Sequence, residues 1–260
     1  MALESREDWS ALAFSRQEDL LLALILLHML LAAVAPFAGR RWGRPTLLFC
    51  GLAPLATVIW AATRFRSIVE GAAETSSLPW IPDLGLSVDL RMDAFALLMV
   101  TLVAGIGVLI FVYAYAYFGE RADLGKFAGT LVAFAGSMLG LVLADNLLAL
   151  YLFWELTSVT SYLLIGFEDR KAAARAAALQ AILITGAGGL AMLGGFVILG
   201  QQAGTFRISA LLSDPPGGSL TNLALVLVLL GALTKSAQVP FHSWLPGAMA
   251  APTPVSAYLH

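Results

Sequence analysis

Residues 147–167 read LLALYLFWELTSVTSYLLIGF, a run in which Glu155 is the single charged side chain. A hydrocarbon core of about 30 Å takes about 20 residues of α-helix at 1.5 Å rise, so this run has the length of one membrane span. Glu155 stands ninth from Leu147, which puts its carboxyl about 12 to 15 Å deep, close to the midplane. A charge there costs at least about 2.5 to 3.5 kcal/mol on insertion scales, so the residue points to a transport element more than to ordinary packing.

Working outward, runs of similar length recur. Leu20 to Phe37, Pro45 to Thr63, Ala94 to Phe118, Phe127 to Ala144, Leu147 to Phe167, Ala176 to Gly200, and Asn222 onward past Val239 give about seven spans. The expected fold is therefore all-α, a polytopic transmembrane helix bundle. The composition agrees: of 260 residues 59% are hydrophobic and 12% charged, with mean hydropathy +0.84, against roughly 25% charged in soluble domains. The stretch before the first span carries Glu4, Glu7, Asp8, Glu18 and Asp19 in place of a positive n-region, so it is expected to be retained and not cleaved as a signal peptide. Net charge −2 with no Lys/Arg block excludes nucleic acid as a partner. The single cysteine, Cys50, allows neither an internal disulfide nor a cysteine metal cluster, and no cofactor or metal is expected. Gly-x-Ser-x-Gly, His-Glu-x-x-His and phosphate-loop patterns are absent, so no enzymatic activity is expected.

Loop charges set orientation. One set of loops holds Arg40, Arg41, Arg44, Arg121, Lys126, Arg170, Lys171 and Arg175 against Glu120, Asp123, Glu168 and Asp169. The other set, the N-terminus included, holds six arginines against twelve acids, among them Asp89, Asp145 and Asp214. The first set is assigned to the cytoplasm and the second, with the N-terminus, to the outside of a cell membrane. Between spans 2 and 3, residues 64–93 combine turn residues with the alternating stretch LSVDLRMD and read as a short extracellular hairpin. Trp60 and Trp80 read as interface anchors, and the glycines 186, 188, 189, 194 and 195 as a close-packing face.

Every Lys and Arg falls to a loop except Lys235, and every Asp and Glu except Glu155. Lys235 is fourteenth from Asn222, about 20 Å along its helix, at a depth compatible with contact to Glu155. It lies in TKSAQVPFHSWLP, residues 234–246, where Pro240 cannot donate to the carbonyl of Ser236, so the seventh helix is expected to break. Interrupted transmembrane helices occur where backbone is buried in protein or lines a wet cavity, and freed carbonyls there would hold an ammonium. At an effective dielectric of 20, separating the two charges from about 4 to about 8 Å lowers their attraction from about 4 to about 2 kcal/mol, enough to release or recapture a proton. Tyr151, Thr157, Ser158, Thr160, Ser161 and Tyr162 surround Glu155 with hydroxyls, and Ser158, at i+3, is assigned to its face. His242 and His260, beyond the break, could continue a proton route, while His28 among leucines reads as a packed histidine.

The stretch 145–167, with Trp-Glu-Leu-Thr-Ser, resembles the fifth helix of the antiporter-like subunits shared by complex I and Mrp antiporters. Residues 234–260 are similar to that family's broken seventh helix and the start of its eighth. Trp-Glu-Leu-Thr-Ser looks more like the large A-type subunits of multisubunit Mrp sodium/proton antiporters than like complex I, which tends toward Trp-Glu-Gly-Val-Gly. The resemblance implies a proton-conducting subunit of a cation/proton antiporter, with Glu155 and Lys235 as the conduction pair and His260 as the family's eighth-helix histidine. It implies spans 1–3 in residues 1–126 and a first antiporter-like helical repeat, truncated, in 127–260. Its expected partners are the other subunits of a hetero-oligomeric membrane complex, H⁺, and a monovalent cation, Na⁺ first. The alternatives are a proton-pumping membrane-arm subunit of a complex I-like or hydrogenase-like oxidoreductase, and a non-conducting membrane scaffold. Two departures stand out: the chain is far shorter than A-type subunits, as a fragment or one piece of a split subunit would be, and Gly247 replaces a customary acid.

Overall fold

A computed structural model of the chain describes residues 20–81, 86–121 and 123–259. The acidic N-terminal stretch, Asp83 and His260 lie outside the described residues. Among the described residues six helices are long and apolar enough to cross a membrane: α1 (Leu20–Trp42), α2 (Pro45–Val69), α3 (Ala94–Tyr117), α4 (Leu124–Leu143), α5 (Leu147–Ile165) and α6 (Ala172–Ala203). The seventh candidate is the 17-residue α8 (Ser219–Lys235), preceded by the short α7 (Ile208–Ser213). A 3-10 turn (Phe241–Ser243), α9 (Trp244–Ala248) and α10 (Thr253–Leu259) complete the chain.

Local sequence sets the helix ends. Pro45 starts α2, where its missing N–H is no loss. Asp93 caps α3 by accepting from Ala96 N at 3.0 Å, and Asn146 caps α5 through Leu148 N and Ala149 N. Several charges assigned to loops stand inside helices instead: Arg40, Arg41 and Arg66 occupy last turns, where they face the negative helix pole, and Lys126 and Arg175 lie in first turns.

Lipid gives no hydrophobic drive between helices, so close approach carries the packing. The crossing of α1 and α4 shows how: an added Cβ on Gly39 would overlap the Gly125 backbone, and one on Gly125 would stand 2.7 Å from the Ala35 carbonyl oxygen. One core fills the half of α1, α2, α3 and α4 nearer the basic end, around Phe111, Phe127 and Leu131. A second, around Leu21, Ile68, Met92 and Leu139, underlies the hairpin. At the basic end, Phe118, Phe127 and Phe167 stack edge to face at 4.7 and 5.0 Å with Arg121 over Phe118 and Phe167, tying α3, α4 and α5 together.

At the opposite end β1 (Glu74–Ile81) pairs antiparallel with β2 (Leu86–Met92), with Ser77 opposite Asp89 and Leu78 opposite Val88. Two strands alone are marginal, and this hairpin is held from below. Asp145 N donates to Asp89 O at 2.7 Å, Ile208 N to Asp145 O at 2.8 Å and Leu147 N to Phe206 O at 2.9 Å. The Asp89 carboxylate, 5% exposed, accepts from Ser77, Ser87 and Asn146 and lies 3.4 Å from Arg207. Burial alone would raise its pKa, but these donors and the Arg207 charge outweigh burial and hold the carboxyl below its ordinary value.

Candidate functional site

Glu155 and Lys235 are brought to one junction, where α5, α6 and α8 meet, through glycines on α6. Gly188 leaves room for Thr234, and an added Cβ there would overlap its side chain. One residue on, Gly189 leaves room for the Glu155 carboxylate. The glycine face read from the sequence as packing therefore also seats the two elements of the site.

Lys235 does not pair directly with Glu155: among the described residues no ion pair joins them within 4.0 Å. Lys235 Nζ donates instead to Ser158 Oγ at 2.7 Å, to Thr157 Oγ1 at 2.9 Å and to the Trp154 carbonyl at 3.4 Å, and lies 5.1 Å from the centre of the Trp154 ring. Thr157 and Ser158 donate their own hydroxyl protons to Trp154 O at 2.7 and 3.1 Å. Their lone pairs are thereby turned toward the lysine, and three acceptors with an aromatic face suit the three donors of an ammonium. Glu155 Oε1 is buried without a hydrogen-bond partner, as is Trp154 Nε1.

Three expectations are corrected here. Ser158, expected on the Glu155 face, serves Lys235. The helix break is not set by Pro240 alone, because α8 ends at Lys235, five residues earlier. Ala237 holds φ +51°, the left-handed C′ position, and Gln238 N reaches back to Leu233 O while Ala237 N reaches Thr234 O, a Schellman termination. Nor do freed carbonyls hold the lysine. Those of Gly231, Ala232, Leu233 and Thr234 are taken by the Thr234 hydroxyl, Ser236, Gln238 and the Trp244 indole, so Lys235 turns to α5. Pro240, in a cis peptide after Val239, leads into the 3-10 turn. His242 is exposed on that turn and does not line the cavity at Lys235, while His260 lies outside the described residues. His28 is packed as expected, 1% exposed, with Nδ1 donating to Leu24 O at 2.8 Å.

Beside Lys235 lies a cavity of about 150 Å³, lined by Thr157, Ser158, Ser161, Tyr162, Thr185, Phe134 and Trp244 among others. A wider basin of about 1020 Å³ opens at the basic end, walled by Arg121, Asp123, Lys126, Thr130, Tyr162, Glu168, Arg175 and Ala178 with their neighbours. Arg121 donates to Asp123 at 2.8 Å and approaches Glu168 at 3.9 Å, and Lys171 also pairs with Glu168. The Arg121 guanidinium holds the Asp123 carboxyl below its ordinary pKa against the opposing effect of burial. Sequence reasoning gave Thr157, Trp154, Thr185 and Thr234 no role. The signal was present, since Trp154, Thr157, Ser158, Ser161 and Tyr162 fall at i, i+3, i+4, i+7 and i+8, a stripe of hydrogen-bonding side chains along one face of the helix.

Residues 144–260 match the family model described as NADH:quinone oxidoreductase/Mrp antiporter, TM, and residues 80–128 match that of NADH-Ubiquinone oxidoreductase (complex I), chain 5 N-terminus. The A/B subunit of a probable K⁺/H⁺ antiporter of Rhizobium meliloti (strain 1021) is 45% identical over 94% of this chain and 25% of its own length. The A1 subunit of the Na⁺/H⁺ antiporter of Staphylococcus aureus is 39% identical over 93% of this chain and 31% of its own. The Mrp complex from Dietzia sp. DQ12-45-1b superposes with TM-score 0.82 at 34% identity, over 92% of this chain and 26% of that one. The membrane-bound sulfane sulfur reductase, an archaeal respiratory membrane complex, shares the fold at TM-score 0.80 and 20% identity, over 92% of this chain and 49% of that one. The chain thus spans between a quarter and a third of the length of the curated relatives it matches.

Proposed function

We propose, from the premise that this chain belongs to the antiporter-like family shared by NADH:quinone oxidoreductase and Mrp antiporters, that it forms a proton-conducting portion of a multisubunit cation/proton antiporter. The observation that carries the reading is the docking of Lys235 on the paired hydroxyls of Thr157 and Ser158, with a second ionisable group, Glu155, at the same junction and outside direct contact. A static ion pair would close the distance and satisfy both charges. Here the lysine has a resting place that does not use the carboxylate, so a change of local charge or hydration moves it between two sets of partners. Glu155 and Lys235 carry the proton in this scheme, Ser158 with Thr157 docks the lysine, and the break before Pro240 frees the end of α8 to move. His242 and His260 extend the route toward the rest of the complex.

Residues 127–260 then make up the first antiporter-like helical repeat and residues 1–126 the spans that precede it. The chain lies in the cell membrane as a multi-pass subunit, with its basic end inward, its hairpin and N-terminus outward, and the remaining subunits of the complex as partners. Similarity to cation/proton antiporter subunits favours exchange of a monovalent cation, Na⁺ or K⁺, over redox-driven pumping. The test is ΔpH dissipation on adding Na⁺, K⁺ or Li⁺ to energised everted vesicles that contain the whole complex. Glu155→Gln and Lys235→Ala are expected to assemble and to lose cation-dependent flux. Flux that survives either substitution assigns that residue a structural role.

A further inference from the structure

We propose that Tyr162 is the gate between the basic basin and the cavity at Lys235, an inference that rests on the proton-conducting reading and adds a route to it. The two spaces are separated by about one helical turn on two helices, α4 and α6. On α4 the basin reaches Thr130 and the cavity begins at Phe134; on α6 the basin reaches Ala178 and the cavity begins at Ala181. On α5 the two meet, and among the described residues Tyr162 is the one that lines both. Three to four residues at 1.5 Å each put about 5 to 6 Å of protein between them, the width of one or two waters.

Tyr162 suits that position in two ways. It is 37% exposed, so its ring is not locked by packing on every side, and rotation about its first side-chain torsion is open to it on the fast timescale of exposed side chains. Its phenol is also the outermost hydroxyl of the stripe that runs through Ser161 and Ser158 to the lysine. With the ring in place Tyr162 stands between the cavity and the basin. With the ring turned, water in the basin becomes continuous with the hydroxyls beside Lys235, and a proton can pass along that chain without ever being carried by a bare ion in lipid. Along this route the basin is the wide aqueous mouth, and Tyr162 sets when it is connected.

The test reads water access and not transport, so its failure is separate from failure of the proton-conducting reading. In the assembled complex, with Cys50→Ala as background and Ser161→Cys as reporter, 2-sulfonatoethyl methanethiosulfonate is added to one face of sealed vesicles, and the modified peptide is followed by mass spectrometry. Tyr162→Ala is expected to speed labelling from the basin face by at least about tenfold, the factor given by about 1.4 kcal/mol of barrier, with no gain from the opposite face. Tyr162→Phe, which keeps the ring, is expected to leave labelling slow. Tyr162→Leu serves as the second opened variant if Tyr162→Ala does not assemble. A labelling rate that stays the same in the opened variants, or that rises equally from both faces, overturns the gate.

Discussion

Replacing Thr157 by valine keeps the shape of the side chain and takes away one oxygen. That oxygen is an acceptor for Lys235 Nζ at 2.9 Å, in a residue 1% exposed, and its own proton is already given to Trp154 O. A hydrogen bond to a charged group contributes about 1.5 to 3 kcal/mol, and each 1.4 kcal/mol is tenfold in an equilibrium. The hold of α5 on the lysine should therefore weaken by about ten- to a hundredfold, with the Ser158 bond at 2.7 Å still in place. If proton transfer passes through the docked lysine, cation-dependent proton flux in everted vesicles falls by at least about tenfold, measured as the initial rate per assembled complex. Thr157→Ser removes a methyl group but keeps the acceptor, and is expected to retain most of the flux. Equal rates in Thr157→Val and Thr157→Ser, with both complexes assembled, would refute the docking argument.

Three further outcomes follow from the geometry. Gly188→Ala drives a Cβ into Thr234 across the α6–α8 contact, an overpacking worth about 1 to 3 kcal/mol; the thermal midpoint of the complex should fall, and an unchanged midpoint would show that the helices part freely. Ala237→Gly relieves a left-handed φ of +51° that costs an L residue roughly 1 to 2 kcal/mol, so that midpoint should rise, and a fall would mean the strain is not there. Asp89 has its pKa lowered by folding, so its contribution to stability is complete above its unfolded pKa of about 3.9 and is lost as pH falls through the lower folded value. Asp89→Asn should therefore destabilise the complex at neutral pH, and the gap to wild type should narrow below about pH 4; a gap that does not change with pH would remove the charge from the account.

Most of the bundle was legible because its signal is length. A run such as Ala94 to Tyr117, with no charge across 24 residues, reads as a span without knowledge of its neighbours. Glu155 and Lys235 were legible for the opposite reason, as charges where length alone forbids them. Their relation was not legible, because depth along two helices does not give rotation about them. Rotation is fixed by which residues can let a neighbour approach, and here that information sat on a third helix, in Gly188 and Gly189. The stop of α8 escaped the sequence for a similar reason. Proline announces a break, whereas an alanine in the left-handed region announces nothing, and its conformation is decided by Gln238 reaching back to Leu233 and by the Trp244 indole closing on Thr234.

That closure bears on how the site could work. The carbonyls of residues 231–234 at the end of α8 are occupied by groups of the same short segment, residues 231–244, so those four are not vacant ligands. A lysine at such an end gains little from its own helix beyond the favourable pole of the dipole and must look across to α5 for acceptors. The strength of its attachment then depends on the distance between α5 and α8, which the Gly188–Thr234 contact sets. Small relative movements of the two helices would change the lysine's partners without unfolding either one, because the hydroxyls, the aromatic ring and the carboxylate lie within one turn of each other on α5. Coupling of proton position to helix position requires a charge whose partners lie on a different rigid element from the one that carries it, and Lys235 meets that requirement through side chains that the sequence places on a single stripe.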